Sequence, residues 1–419
     1  MTDLKKDKKM IPNIRFKGFT DDWEQRKLKT IAVFNPKSNL PDQFEYVDLE
    51  SVRGVNLTAH RTESLGKAPS RAQRLAQKND IFYQTVRPYQ KNNYLYELDD
   101  TDYVFSTGYA QLRPQVNSYF LFSILQRETF VQDVLNQCTG TGYPAISSKD
   151  LSEIEVDVPN DDQEQLEVGL ILRRLDKTLT LHQCKLENLE KLKKLLLQKL
   201  FPKNGQCKPD IRFAGFTDDW EQRKFEELVS FIDGDRGKNY PGENDFLSNG
   251  NVLFLDTKNV RPTGFDFFHK KFISDKKDSL LRNGTLLVND FVLTSRGTLG
   301  NVAFYSNNIN TMFPKIRINS AMLIVRNRDT DYLSNTFLYT LLRGNLISKF
   351  LKVYHVGSAQ PHITKKDLSK LNIELPSSLN EQNDVGILLQ NLDKILTLHQ
   401  RKLDELGLLK NFLLQNMFV

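Results

Sequence analysis

Hydroxyl, amide and guanidinium side chains gather at the ends of β-rich runs in both halves of the chain, in most cases beside glycines. In the first half they are Thr85-Val86-Arg87-Pro88, followed by Tyr89, Gln90 and Lys91, and Ser106-Thr107-Gly108-Tyr109-Ala110. In the second they are Thr294-Ser295-Arg296-Gly297-Thr298-Leu299-Gly300. A later turn follows in each: Thr139-Gly140-Thr141-Gly142-Tyr143-Pro144 and Val356-Gly357-Ser358-Ala359-Gln360-Pro361-His362. Glycine permits close backbone approach, and the neighbouring side chains carry the donors and acceptors that match base edges. The plainer reading makes each a hairpin or loop turn.

Charge supports the first reading. Between Arg53 and Lys91 the basic residues Arg53, Arg61, Lys67, Arg71, Arg74, Lys78, Arg87 and Lys91 are opposed only by Glu63 and Asp80. The second half has Lys270, Lys271, Lys276, Lys277, Arg282, Arg296, Lys315 and Arg317. Such segments suit a phosphate-facing surface, although a solvated charged face has the same composition. The candidate contacts are therefore Arg71, Arg74, Thr85, Arg87, Tyr89, Gln90, Lys91, Thr107, Tyr109, Thr141 and Tyr143 in one half. In the other they are Thr294, Ser295, Arg296, Thr298, Lys315, Arg317, Ser358, Gln360 and His362.

Other chemistries fit poorly. The Asn/Asp-Pro-Pro-Tyr/Phe stretch of amino-methyltransferases does not occur, and Gly234-Asp235-Arg236-Gly237-Lys238 has the wrong spacing for a phosphate-binding loop. Asp266, Asp275 and Lys277 imitate a metal-nuclease pattern that arises readily by chance. Cys138, Cys184 and Cys207 are widely spaced and form no zinc or disulfide framework, which fits a reducing compartment.

Two modules or more must position these residues, because the chain has 419 residues. Hydrophobic residues (39%) suffice for packed cores, and the net charge of +6 is compatible with a polyanionic partner. No apolar run is long enough to span a bilayer, and residues 1–13 read as a disordered polar tail.

The chain is written twice. Ile14–Leu28 reads IRFKGFTDDWEQRKL and Ile211–Phe225 reads IRFAGFTDDWEQRKF, identical at 13 of 15 positions. Leu175–Leu186 (LDKTLTLHQCKL) returns as Leu392–Leu403 (LDKILTLHQRKL). The middles, 29–139 and 226–356, share little beyond strand-like fragments. A scaffold presenting two different surfaces would divide this way.

The shared ends are helical. Leu175, Leu179, His182, Leu186, Leu189, Lys193, Leu196 and Leu200 alternate in steps of four and three. So do Leu392, Leu396, His399, Leu403, Leu406, Lys410, Leu413 and Met417. That is a coiled-coil seam, with His182 and His399 read as register-fixing polar residues. Leu172, Leu192 and Leu195, with Leu389, Leu409 and Phe412, form a second stripe that expects further helical partners. Antiparallel packing of the two helices on each other is the economical arrangement. At 1.5 Å per residue each would extend roughly 55–60 Å, enough to hold two modules about one DNA turn apart or slightly more.

In the middles, strands are expected at Phe44–Leu49, Asp80–Val86, Asp102–Ser106, Val252–Leu255, Asp290–Thr294 and Ser320–Val325, with amphipathic helices at Tyr119–Leu135 and Tyr332–Leu351. The expected organisation is a tail (1–13), an α+β domain (14–160), a central helix (161–201), a linker (202–210), a second α+β domain (211–377) and a C-terminal helix (378–419).

Together these segments resemble the specificity subunits of type I restriction–modification systems, the HsdS family, over nearly the whole chain. The resemblance rests on the repeated segment around Phe16 and Phe213, and on Thr85-Val86-Arg87-Pro88 with Ser106-Thr107-Gly108. It rests also on Thr294–Gly300, and on Gly-x-x-x-Pro-x-Ile-x-x-Lys-Asp-Leu from Gly140 and Gly357, leading into helices of the LDK-x-LTLHQ type. It implies two target-recognition domains of mixed α/β structure joined by two long antiparallel coiled-coil helices. Each domain would read one half of a split double-stranded DNA site. The helices would dock two methyltransferase subunits that methylate adenine at N6, and motor–nuclease restriction subunits would complete the complex. The chain itself would be non-catalytic and cytoplasmic, without membrane contact or bound cofactor. S-adenosylmethionine, ATP and magnesium would belong to the partners. Where the first half has Thr-Gly-Tyr the second has Ser-Ala-Gln, so Tyr143 and Gln360 correspond in place but not in chemistry. Outside the resemblance, a coiled-coil scaffold with protein-binding heads and a nuclease using Asp275 and Lys277 are the alternatives.

Overall fold

The computed structural model describes residues 10–140, 142–203, 206–344, 346–347, 350 and 362–419. The chain forms two units, Met1–Gln183 with Arg401–Val419, and Cys184–Gln400. Short runs rich in β-branched and aromatic residues build two larger sheets in each, beside two two-stranded ribbons.

In the first unit, Arg61–Ser64, Gln43–Val47, Tyr103–Ser106 and Ala72–Leu75 form one sheet in that order, with the central pair parallel. Ala32–Phe34, Tyr109–Pro114, Ile81–Gln84 and Tyr94–Leu95 form an antiparallel second sheet. The chain crosses between sheets at Thr107–Gly108. Facing residues Val47, Phe82, Phe105 and Tyr109 close the space between them, with the Phe82 and Phe105 rings stacked at 3.6 Å.

The second unit repeats this plan in largely different sequence. Phe272–Ile273, Val252–Leu255 and Lys315–Ile318 form one sheet, the last two strands parallel. Val229–Asp233, Met322–Asn327, Phe291–Thr294 and Val302–Phe304 form the other. The expected strands lie within these ranges to within a residue or two at their ends.

Two expected helices are shorter than their periodicity implied. Tyr119–Leu135 is two helices, Ser118–Leu125 and Glu128–Gln137. Arg127 interrupts them in extended geometry, and its guanidinium donates to the Val419 carbonyl at 2.9 Å. In Tyr332–Leu351 one helix is Asn335–Arg343, stopped at Gly344, where a Cβ would meet the Thr340 carbonyl oxygen at 2.8 Å, and Leu346, Ile347 and Phe350 are helical again. Part of the remainder lies outside the described residues.

The long helices are Asp162–Lys199 and Leu379–Asn416, 38 residues each. In the first unit Lys410 pairs with Asp176 at 2.6 Å, and farther along Phe418 meets Trp23 beside Glu164, so the helical segments there run antiparallel. In the second unit Lys193 pairs with Asp393 at 2.6 Å and Phe201 meets Trp220 beside Glu381, again antiparallel. The lysines interrupting the seam are thus matched by aspartates on the facing helix. The second helix stops at Asn416, short of the chain end, because Met417 and Phe418 turn into the core.

The repeated segment explains itself here. Arg15 donates to both carboxylate oxygens of buried Glu164 (2.6 and 2.8 Å), and the Trp23 indole adds a third bond at 3.3 Å. Arg212, Trp220 and Glu381 repeat the clasp at 2.6, 2.7 and 3.2 Å. The Ile14 amide donates to the Asn416 carbonyl, as the Ile211 amide does to that of Lys199. Each opening segment therefore fastens the start of one long helix to the end of the other. Glycine completes the joint: a Cβ on Gly169 would lie 2.6 Å from Asn117 Oδ1, and one on Gly386 2.7 Å from the Thr336 carbonyl carbon.

Candidate nucleic-acid interface

Main-chain hydrogen bonds gather one ridge beyond the parallel strands of the first unit. The Thr107 amide donates to the Arg71 carbonyl (2.8 Å), and the Thr85 amide to that of Gly108 (3.0 Å). The Ile146 amide donates to the Thr85 carbonyl (3.0 Å), and the Arg87 amide to that of Pro144 (2.8 Å). Segments distant in sequence thus present Arg71, Arg87, Tyr89, Gln90 and Tyr143 together. Arg87 adopts a left-handed conformation (φ 55°) ahead of Pro88, and its guanidinium lies 4.4 Å over the Tyr143 ring. Tyr143 is 67% exposed. A cation held flat on an exposed ring is preorganised for planar hydrogen bonding. Sequence placed Arg87 and Tyr143 on separate motifs; it carried no signal that they pair.

Other candidates in this unit have structural work. Tyr109 is fully buried against Phe82 and Phe105, and burial pushes its phenol pKa up; it is a core residue. Thr85 is buried and its hydroxyl donates to the Gly108 carbonyl at 2.8 Å, closing the turn. Neither side chain is available to a ligand. Arg74 is half-buried, and desolvation lowers its pKa. Lys91 is paired with Glu128, and Thr107 is half-buried. Thr141 lies outside the described residues.

The second unit builds the corresponding ridge. The Ser295 and Arg296 amides donate to the Ala321 carbonyl (2.8 and 3.2 Å), and the Ile363 amide to that of Ser295 (2.9 Å). Gly297 (φ 71°) and Gly300 (φ 83°) turn the loop, leaving Arg296 and Thr298 exposed at its tip; His362 is also exposed. Thr294 is a correction: it is buried, accepts from the Asn301 amide (2.9 Å) and donates to the Thr298 carbonyl, stapling the loop. Ser295 is likewise buried. Arg317 is a second correction, because it is buried against Asp278 and donates to the Asn283 carbonyl at 2.7 Å. Lys315 is exposed but paired with Asp275 at 2.9 Å. Ser358 and Gln360 lie outside the described residues.

Two signals in the middles went unread. Asp48-x-x-x-Val52-Arg53 matches Asp256-x-x-x-Val260-Arg261. In both, the aspartate side chain accepts from the amide two residues on, at 3.0 Å in the first and 2.7 Å in the second. Asn79-Asp80 matches Asn289-Asp290, with left-handed asparagines (φ 74° and 75°). There Asp80 takes a forked pair from Arg113 (2.9 Å) and Asp290 one from Arg326 (2.7 Å).

The nuclease-like carboxylates are all engaged: Asp275 with Lys315 and Asn251, Asp266 with Arg261, while Lys277 pairs with Asp245. Among the described residues no three His, Cys, Asp or Glu side chains gather to hold a metal ion. None of the described helices is long and apolar enough to cross a membrane.

Along the helices, Leu192, Leu195, Leu409 and Phe412 are exposed. Leu172 and Leu389 do not belong with them. They are buried in their units' cores, because helices Ser118–Leu125 and Asn335–Arg343 cover those turns. The seam stripe and the exposed stripe diverge along the helix, which spacing alone did not show.

A family model described as the type I restriction modification DNA specificity domain matches residues 20–191 and again 217–408. Over 301 residues the chain is 24% identical to the type I restriction enzyme MjaVIII specificity subunit of Methanocaldococcus jannaschii, a match spanning 69% of this chain and 66% of that protein's length. A type I restriction–modification S subunit from M. genitalium has a similar fold, with a TM-score of 0.64 and 15% identity over 98% of this chain and 99% of that one.

Proposed function

The chain belongs to the type I restriction modification DNA specificity family in both halves, and from that premise we propose that it reads a split duplex DNA site, one half-site with each unit. The observation that carries this is one ridge, built twice from main-chain bonds, with different side chains on top: Arg87 on Tyr143 in one unit, Arg296 with Thr298 in the other. Guanidinium groups bond guanine edges in pairs, and hydroxyls and amides read the rest. The surrounding lysines and arginines would neutralise phosphates, giving affinity that falls steeply with salt.

In this reading the 38-residue helices set the gap between half-sites. Exposed Leu192, Leu195, Leu409 and Phe412 receive helices of two methyltransferase subunits. Those partners supply S-adenosylmethionine chemistry at adenine N6, restriction subunits bring ATP and magnesium, and this chain binds none of these cofactors. The assembly works in the cytoplasm.

The test is to produce the chain with its methyltransferase partners and map methylation on cellular DNA molecule by molecule. A split motif with a fixed unspecified gap is expected. A continuous motif, or methylation that does not depend on this chain, overturns the proposal.

A further inference from the structure

The loop Asp266–Lys271 of the second unit holds a phenylalanine out into solvent. Phe268 is 84% exposed, the most exposed large apolar side chain among the described residues. Exposure by itself needs no explanation. Here, however, the surrounding atoms fix it. Buried Asn259 donates both amide protons to the carbonyls bracketing Phe268, those of Asp266 at 2.9 Å and His269 at 2.7 Å. The Phe268 amide donates to Asp266 Oδ1 at 2.9 Å. The backbone that bears the ring is thus tied at three points in an outward turn.

Its surroundings say what it would meet. His269, Lys270 and Lys271 follow it and are exposed. The turn that anchors it, Thr257–Asn259, also contacts the recognition loop: the Thr257 hydroxyl lies 4.0 Å from a Cβ built on Gly297. The Asn301 side chain ties the same loop to the Val260 carbonyl at 3.0 Å. The loop that bears Phe268 and the loop that bears Arg296 are therefore both fastened to the segment Thr257–Val260. An apolar side chain rimmed by cations beside a base-reading loop is how proteins wedge open a base step.

We propose that Phe268 inserts into duplex DNA and unstacks a base step within the half-site read by the second unit. The inference rests on the reading that Arg296 faces DNA. Among the described residues the first unit has no counterpart. After the matching Val52-Arg53 its sequence runs Gly54-Val55-Asn56-Leu57-Thr58-Ala59-His60, and the His60 ring lies against Tyr103 and Glu45. Unstacking by a wedge is therefore confined to one half-site, which a protein-binding patch would not produce.

The experiment uses the full chain with its methyltransferase partners. Duplexes carry the methylation-mapped site with 2-aminopurine at successive positions across both halves. Beyond the target adenines, which the methyltransferase partners extrude in both halves, wild type should brighten the probe at one further step, in the half read by the second unit. Phe268→Ala should abolish that further brightening and weaken binding about tenfold, the scale of one lost base–aromatic stack. Phe268→Trp should retain both. Arg296→Ala separates the two levels of the argument. If Phe268→Ala keeps wild-type brightening and affinity while Arg296→Ala weakens binding, the wedge is wrong and the DNA-facing ridge stands. If neither substitution affects DNA binding, the ridge falls with the wedge. If Phe268→Ala impairs assembly with the methyltransferase in the absence of DNA, the ring serves a protein contact and the proposal is overturned.

Discussion

Glu164 is the most informative side chain to remove. It is 1% exposed and takes three hydrogen bonds, two from Arg15 and one from the Trp23 indole. Glu164→Ala leaves a guanidinium that is itself only 11% exposed without its counter-ion. Breaking one side of a buried ion pair costs about 3–5 kcal/mol. With an m-value of about 2 kcal/mol per molar urea, the unfolding midpoint falls by roughly 2 M. The protein supplies its own probes, because its two tryptophans, Trp23 and Trp220, stand one in each clasp. In a Trp220→Phe background fluorescence reports the first clasp alone, and in Trp23→Phe the second.

The double variant Arg15→Met/Glu164→Leu should recover most of the loss, since a buried pair exchanged whole for apolar groups is often neutral. Glu153→Ala is the control. It removes the partner of Lys27 and Lys29, all three being about half exposed, and should leave the midpoint close to that of the unchanged protein. If Glu164→Ala behaves like Glu153→Ala, or if the double variant is as damaged as the single, the clasp is not what holds the opening segment to the helix.

Gly386→Ala should destabilise the chain by about 1–3 kcal/mol, because its Cβ meets backbone 2.7 Å away, and Gly169→Ala by less, because its Cβ meets the Asn117 side chain; melting temperatures test the order. Tyr109→Phe should leave DNA binding unchanged and cost at most about 1 kcal/mol, as its hydroxyl makes one long bond of 3.4 Å to the Asp48 carbonyl; a change in site preference would return Tyr109 to the interface. Arg87→Ala and Arg296→Ala should each relax methylation at one half of the mapped site, by about 1–3 kcal/mol of discrimination; equal loss at both halves from either change contradicts one unit per half-site. Leu409→Glu with Phe412→Glu should prevent methyltransferase binding while leaving the melting temperature within a few degrees, checked by co-purification and calorimetry, since both side chains are already exposed.

The helices were legible because a four-three spacing sustained from Leu175 to Leu200, and again from Leu392 to Met417, has one physical reading. Even the lysines in the seam were visible as exceptions, though their aspartates could be found only with the helices side by side. The repeat was legible as text. What sequence misjudged was direction, inward or outward. Lys315 and Arg317 share a strand face, so period two treats them alike. The short helix Asp275–Ser279 supplies a partner for each, Asp275 for exposed Lys315 and Asp278 for buried Arg317. Thr85 and Thr294 failed for a related reason. A hydroxyl beside a glycine turn is what a base contact needs and equally what the turn needs to close itself.

That ambiguity bears on why the chain repeats its ends and not its middles. The ends are held by bonds that depend on side-chain identity: a guanidinium and an indole on one buried carboxylate, and a glycine where no Cβ fits. Changing one of those residues alone breaks the joint. The ridges are held by amides donating to carbonyls, Ile146 to Thr85 in one unit and Ile363 to Ser295 in the other. Main-chain bonds of that kind are indifferent to what projects from the surface. The scaffold therefore fixes residues where it closes and leaves them free where it faces outward. Two dissimilar reading surfaces can then stand on the same frame without either weakening it.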